Sequence, residues 1–238
     1  MLAETLSEIE DTLDAGTYQP GMWGRFLEEA RACPDTERAS LAPRVSEVSA
    51  RLHEGKSQTL LPLESALALE VAGVLMGAAC AGASRALGSS VLAMGAASLW
   101  ASTLQPLLKV GVGAALGVRY EHAYLWKGEP RFKMRYGTYL ARPRWQRIAL
   151  HVAGCLGAPA GAALAGAIVG PSNPRAARLC NGTAWLLAAS NVLFVAGGLL
   201  GQKRVLGVPT ASSSGGAAGI EVREALATAR AVRLAQRA

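Results

Sequence analysis

Five polar side chains stand inside stretches of the chain that are otherwise apolar: Glu70, Gln105, Lys109, His151 and Asn191. Burying such groups in a membrane costs free energy unless they are paired, so each is a candidate for a functional role. Together they could line a polar path or cavity. A structural role is the alternative, with Glu70 as an interfacial carboxylate and His151 as a hydrogen-bonded packing residue. We assign no catalytic residue or metal ligand, and we predict no cofactor.

Other catalytic signatures are missing from the sequence. The three histidines, His53, His122 and His151, fall in three separate segments, and the four cysteines have no CxxC spacing. The sequence contains no glycine-rich phosphate loop, GxSxG turn or paired-carboxylate pattern. These observations favour a protein that is not an enzyme.

Four apolar stretches rich in Gly and Ala must position the five polar residues: 66–87, 91–118, 148–169 and 179–200. Each is close to the roughly 20 residues that cross about 30 Å of hydrocarbon as a helix. Their polar positions are mostly Gly, Ala, Ser and Thr, whereas a soluble helix keeps a polar stripe. The sequence therefore predicts an all-α polytopic integral membrane protein with about four transmembrane helices, over 63–204. Pro106 and Lys109 leave open whether the second stretch crosses fully or re-enters.

The segment 119–147, which we call the basic loop, carries eight Lys and Arg residues against two Glu residues. The positive-inside rule places it in the cytoplasm, and with four spans both termini lie on the same side. We expect a bacterial-type inner or plasma membrane. Anionic lipid headgroups, rather than nucleic acid, are the expected counter-charge for the net charge of +7.

The basic loop also holds most of the aromatic side chains of the chain. Aromatic residues mixed with Arg and Lys fit either a membrane-interface belt or a protein-docking surface, and both readings stay open. The candidate lipid or protein contacts are Tyr124, Trp126, Arg131, Lys133, Arg135, Tyr136, Arg142, Arg144 and Trp145.

The two ends of the chain are polar. Residues 1–62 show three amphipathic helical patterns, which predict a small helical bundle, although a solvated acidic leader has the same composition. Residues 205–219 are rich in Ser, Gly and Ala and predict a flexible linker. Residues 220–238 predict a C-terminal amphipathic helix that lies on headgroups, fits a partner's groove or is simply solvated.

Two runs of the second stretch resemble the metal-binding helix of site-2-protease-like intramembrane metalloproteases: Gln105-Pro106-Leu107-Leu108-Lys109 and Leu116-Gly117-Val118. The resemblance extends over about 98–170. That family uses two histidines one helical turn apart, a glutamate base and a later Asp. Here Gln105 and Lys109 stand at the histidine positions, Pro106 stands at the glutamate position, and 191–201 contains no Asp. The resemblance implies a degenerate, catalytically inactive pseudoenzyme that keeps the membrane scaffold.

We therefore predict a non-catalytic scaffold, accessory or assembly subunit of a membrane complex, with other membrane subunits or copies of itself as partners. One alternative is an intramembrane metalloprotease-like hydrolase with an unconventional site around Lys109 and His151. A second alternative is a small transporter or channel component in which Gln105, Lys109, Glu70 and Asn191 line a polar path.

Overall fold

Four long apolar helices form the centre of the fold in the computed structural model, which describes residues 2–54, 59–126 and 129–235. Each has 25 or 26 residues and is long and apolar enough to cross a membrane. This confirms the predicted all-α class with four candidate spans. The four helices are α4 (Leu63–Leu87), α5 (Ser90–Ala115), α7 (Arg144–Val169) and α8 (Pro174–Leu199).

Small residues let these four helices approach closely. Trp100 of α5 fills the space beside two glycines, Gly77 of α4 and Gly161 of α7. A Cβ at Gly161 would lie 2.5 Å from the Trp100 carbonyl carbon, and one at Gly77 would lie 2.5 Å from Trp100 Nε1. The same Nε1–H donates to the Val74 carbonyl at 2.8 Å. Backbone approach of this kind drives helix association where no hydrophobic effect operates between helices.

The turns α4–α5 and α7–α8 lie together at one end of the bundle. Asn173 caps α8, because its side-chain oxygen accepts the Ala176 N–H at 3.0 Å. Its side-chain amide donates to the Gly88 carbonyl of the other turn at 2.8 Å. Gly88 ends α4 in the left-handed region at φ 66°. One asparagine therefore joins the two helical hairpins at this end, which we call the turn end.

A three-helix unit, the N-terminal cap (residues 2–54), covers the opposite end. It consists of α1 (Leu2–Asp14), α2 (Met22–Ala32) and α3 (Asp35–Glu54). The apolar stripes of the three helices meet in one core rather than facing solvent, as a solvated leader would. This core continues into residues after α5 and early in α7, and its buried members include Leu6, Ile9, Phe26, Val45, Val48, Val118, Leu140 and Leu150.

The basic loop is not a simple loop, because most of it is regular structure. β2 (Tyr120–Trp126) and β3 (Glu129–Met134) form an antiparallel pair, and β1 (Leu60–Leu61) adds to β2. Ala123 pairs with Phe132 on one side and Leu61 on the other. A short helix, α6 (Tyr136–Leu140), then packs on α3, where the Gly137 N–H donates to Ser46 Oγ at 3.1 Å.

The predicted flexible linker over 205–219 is wrong for most of its length. β4 (Arg204–Val205) and β5 (Val208–Pro209) form a hairpin, a 3₁₀ turn follows over Thr210–Ser212, and α9 already begins at Ser214. The glycines in this segment serve close packing, since a Cβ at Gly219 would lie 3.0 Å from Gly198 Cα on α8.

The C-terminal helix α9 (Ser214–Ala235) therefore starts six residues earlier than predicted. Its first half packs against α7 and α8 at the cap end, so it is not a solvated tail there. Residues 226–230 are exposed. The last three residues of the predicted helix, 236–238, lie outside the described residues.

Candidate functional site

A chain of four polar side chains lies buried where α6, α7 and α9 meet. The Glu221 carboxylate of α9 accepts from Arg147 Nη2 of α7 at 2.9 Å and from the Tyr139 hydroxyl of α6 at 3.0 Å. The side chains of Arg147 and Glu221 are 0% and 3% exposed. The Tyr139 oxygen is also 2.9 Å from His151 Nε2. Three helices are thereby joined through one buried ion pair and its hydrogen bonds.

The proton positions among these four hydrogen-bonded side chains follow from the charge of Glu221. Burial, and then the negative charge of Glu221, raise the pKa of Tyr139 well above its ordinary value. The phenol therefore keeps its single proton and donates it to the carboxylate. The Nε2 atom of His151 must then carry the hydrogen that the phenol oxygen accepts. This leaves the other ring nitrogen, Nδ1, which is buried and has no hydrogen-bond partner among the described residues.

A cavity of about 140 Å³ borders these hydrogen-bonded side chains beneath the N-terminal cap. Its wall is formed by residues of the cap, the sheet, α6, the membrane helices α5 and α7, and α9 with the segment that leads into it. The lining residues are Arg31, Lys109, Met134, Tyr136, Tyr139, His151, Ala211, Ser212, Ser213, Ala217 and Glu221.

The cavity wall has an excess of positive charge. Arg31 and Lys109 line it, and no side-chain hydrogen bond or ion pair is found for either within the described part of the chain. Glu221 is the one lining carboxylate in that part, and it is already paired with Arg147. The stem of Lys109 passes Gly154 of α7, where an added Cβ would lie 3.3 Å from Lys109 Cδ. Gly154 therefore leaves the space that the lysine occupies.

Two of the five predicted site residues, Lys109 and His151, line this cavity. The other three occupy different places. The backbone of Gln105 packs on Gly157 of α7. Asn191 of α8 donates to the Cys155 carbonyl at 2.8 Å and ties α8 to α7. Glu70 is buried on α4. The structure thus gives Asn191 a helix-joining contact and brings only the lysine and the histidine together.

Four of the predicted contact residues of the basic loop are engaged inside the protein. Lys133 Nζ donates to the Ser49 hydroxyl of the cap at 2.5 Å. Arg144 Nη2 donates to the Arg31 carbonyl at 2.7 Å, and Nη1 donates to the Thr228 hydroxyl of α9 at 2.9 Å. Arg142 Nη1 donates to the Leu116 carbonyl at 3.3 Å, and the Tyr136 ring lies against the Trp23 ring of the cap. Lys133, Arg144 and Tyr136 thus attach the cap to the rest of the protein, whereas Arg142 joins the segment after α6 to the end of α5.

The other predicted contact residues are more open. Arg131, Arg135 and Trp145 are exposed, and Trp145 is 64% exposed just after the start of α7. Tyr124 lies against the His53 ring of the cap, with ring centroids 5.2 Å apart. The side chain of Trp126 lies outside the described residues.

Tyr139, Arg147 and Glu221 are the site residues that sequence reasoning missed. In the sequence, Arg147 is one of eight basic residues of the basic loop and Glu221 is one of several charged residues of the C-terminal helix. A usable signal existed for Glu221, because it follows a run of small residues and stands between Ile220 and Val222. A carboxylate between two apolar residues is expected to have a buried partner, although Arg223 and Glu224 close by are typical of a solvated helix face.

The positions that resemble the protease motif do not gather acidic or histidine ligands. Among the described residues there is no group of three or more His, Cys, Asp or Glu that could hold a metal ion. The proposed relationship to site-2-protease-like proteins therefore stays a prediction. No family model matches the chain, and neither a curated protein nor a solved structure matches it.

Proposed function

We propose that the protein is a non-catalytic membrane scaffold or assembly subunit, which holds its N-terminal cap in a fixed orientation for a partner. The observation that carries this proposal is the buried chain from Arg147 through Glu221 and Tyr139 to His151. Its members come from α6, α7 and α9, and α6 in turn packs on the cap helix α3, so the network, which we call the buried lock, fixes the platform on which the cap lies. Separating Arg147 from Glu221 would leave an unpaired buried charge, so arrangements of the helices that part these two side chains are disfavoured.

Contacts between the cap and the other parts support the same function. The Gly137 N–H donates to Ser46 Oγ, Lys133 reaches the cap at Ser49, and Arg144 reaches the last turn of α2. A surface that is already ordered before binding loses little conformational entropy when a partner docks. A firmly attached cap is therefore well suited to assembly.

The outward face of α1 offers a surface for such a partner. Glu4, Glu8 and Asp11 are exposed and stand about one helical turn apart, which makes an acidic stripe. The apolar face of the same helix is buried in the cap core. A partner with a basic surface fits this stripe, since complementary charge steers association and orients the complex. The contact surface we propose is thus the cap rather than the basic loop.

Native mass spectrometry of the protein, extracted gently from its own membranes, tests this function. We expect a hetero-complex of defined mass. Reversal of charge on the stripe, in Glu8→Lys with Asp11→Lys, should release the partner. The matched control reverses two exposed carboxylates of α3, in Glu47→Lys with Glu54→Lys, and should keep it. A monomer from the wild type, or equal loss with both pairs of substitutions, would contradict the proposal.

An intramembrane hydrolase is the second candidate, and it is favoured by one observation: Lys109 and His151 line the same cavity. Two results would favour a hydrolase over a scaffold. One is zinc bound at one ion per protein, and the other is cleavage of a membrane peptide by the wild type but not by Lys109→Ala. If the peptide stays intact after prolonged incubation with the wild type, the hydrolase function is excluded.

A further inference from the structure

The cavity beneath the cap combines features that suit an anionic ligand. Arg31 and Lys109 approach it from opposite parts of the protein, the cap and α5. Lys109 lies six residues before the end of α5, roughly 9 Å along the helix from its last residue. An ionisable residue at this depth in a membrane helix is a functional candidate when it faces a polar cavity. Within the described ranges, no carboxylate forms an ion pair with Arg31 or Lys109.

His151 adds a second and independent requirement. Its side chain is 6% exposed, and its Nδ1 atom has no partner in the described chain. Buried polar atoms are nearly always hydrogen-bonded, so this nitrogen calls for a partner, and the cavity that His151 lines is the space next to the ring from which a ligand could supply one. Because Nε2 carries the hydrogen that Tyr139 accepts, Nδ1 is an acceptor in the neutral ring. The ligand must therefore offer a hydrogen as well as negative charge.

The start of α9 supplies further positive character. Ser213 and Ala217 line the cavity, and the Gly216 N–H donates to Ser213 Oγ at 2.9 Å. The amino end of a helix carries a partial positive charge, which favours phosphate and carboxylate groups. This feature alone would not define a site, but here it lies beside two unpaired cations and a buried acceptor.

The size of the cavity limits the ligand to a small group. A cavity of about 150 Å³ accommodates benzene, and the present one measures about 140 Å³. Inorganic phosphate is smaller than benzene and fits with room for water. A larger groove of about 600 Å³ shares Arg31 and Ala211 with the cavity and adjoins it at the cap end. The shared residues provide a route from the aqueous side.

We propose that this cavity binds a protonated oxyanion, namely hydrogen phosphate or the terminal phosphate of a phosphomonoester. The anionic oxygens accept from Lys109 and Arg31, and the acidic hydroxyl donates to His151 Nδ1. Sulfate has a similar size and charge but no such hydroxyl at neutral pH, so it is rejected. The phosphomonoester headgroup of phosphatidic acid has the same chemistry as free phosphate.

The test uses the full chain in bilayer discs of phosphatidylcholine, with ¹⁵N-labelled histidine. The chain contains three histidines, and His151→Gln identifies the signals of residue 151. Inorganic phosphate should shift the Nδ1 signal of His151 in a saturable way and leave His53 and His122 unchanged. Sulfate should bind at least about tenfold more weakly. A parallel sample with phosphatidic acid in the disc distinguishes a lipid headgroup from the free anion.

Variants of the lysine provide the second measurement. Lys109→Met should raise the Kd for phosphate at least about tenfold, whereas Lys109→Arg should stay within about threefold of the wild type. The matched control is Arg175→Met, which removes an exposed cation at the turn end, the opposite end of the bundle from the cavity. A response to either phosphate source supports the site and identifies its ligand. Any of three results would overturn the proposal. The His151 signal does not shift with either phosphate source, sulfate binds as tightly as phosphate, or both methionine variants lose phosphate affinity to the same extent.

Discussion

Glu221→Gln tests the buried lock most directly. The substitution keeps the shape of the side chain and an oxygen that accepts from Tyr139, but it removes the negative charge that faces Arg147. Both side chains of this pair are almost fully buried, at 0% and 3% exposure. The guanidinium would then remain in a dry site with a long hydrogen bond to the Leu140 carbonyl at 3.4 Å and the face of the Tyr139 ring nearby.

The expected cost follows from this geometry. Removing one partner of a buried ion pair destabilises by about 3–5 kcal/mol. In Glu221→Gln, Arg147 keeps its contacts with the Leu140 carbonyl and the Tyr139 ring. We therefore expect a loss of free energy of unfolding at the lower end of this range, about 3 kcal/mol. That value corresponds to an unfolding constant raised by roughly a hundredfold, since about 1.4 kcal/mol is tenfold. Replacing both partners, in Arg147→Met with Glu221→Leu, leaves no unpaired charge and should cost less than about 1 kcal/mol.

Equilibrium unfolding in mixed micelles, followed by tryptophan fluorescence, measures these free energies for the wild type, Glu221→Gln, the single variants Arg147→Met and Glu221→Leu, and their double variant. The double-mutant cycle isolates the coupling between the two side chains. A loss below about 1 kcal/mol in Glu221→Gln would refute the reasoning. So would a double variant whose loss equals the sum of the two single losses, because the charges would then be independent.

Three further predictions concern packing and pH. Gly137→Ala should detach the cap from α6 and increase proteolysis of the cap, because its Cβ would overlap the backbone of α3; Gly24→Ala, with open space around it, should not. Gly161→Ala should lower the free energy of unfolding by at least about 1 kcal/mol through overpacking, whereas Gly95→Ala, which has no neighbour within 4 Å, should leave it unchanged or higher. The pKa of Tyr139 is raised in the folded state, so the stabilisation from its proton is complete below about pH 10, the ordinary pKa of tyrosine, and is lost as the pH rises towards the folded value. In Tyr139→Phe, the free energy of unfolding should therefore fall less steeply above pH 10 than in the wild type. An identical fall in both proteins would contradict this assignment.

The membrane helices could be predicted because the bilayer imposes one strong constraint on sequence. A helix exposed to lipid must be apolar along about 20 residues, and each of the four stretches meets this requirement without help from the rest of the chain. The three cap helices were also visible in the sequence, since Leu6 and Ile9, or Val45 and Val48, recur at helical spacing. Periodicity fixes an element and its buried face, but it does not say what covers that face.

The β2–β3 hairpin was missed although its signal is present. Tyr120, His122 and Tyr124 alternate with other residue types, and only two residues separate the strands, which is a hairpin pattern. The many basic residues of this segment are equally typical of a loop at a membrane surface. The early start of α9 was missed for a different reason. A run of Ser and Gly serves equally for a flexible linker and for close helix packing, and only the opposing Gly198 decides between them.

The site could not be assembled from sequence because its members are distant along the chain. Tyr139 and Glu221 are 82 residues apart, and Arg147 and Glu221 are 74 apart. Lys109 and His151 were identified as candidates because a charge or an imidazole in an apolar helix is conspicuous. Arg147 lies among the charges of the basic loop, where nothing in composition distinguishes a buried charge from a solvated one, and the position of Glu221 between Ile220 and Val222 does not identify its partner.

The lock and the proposed phosphate cavity act on the same element, which links them energetically. Ser213 precedes α9 and lines the cavity, and Glu221 two turns later anchors the helix to Arg147 and Tyr139. A ligand that binds only the docked arrangement stabilises that arrangement by about 2.7 kcal/mol at a concentration of 100 times its Kd. This gain is comparable to the loss expected from Glu221→Gln. Phosphate in the cavity would therefore reinforce the attachment of α9 and, through Arg31, the position of the cap, so that ligand supply could regulate the surface presented to a partner.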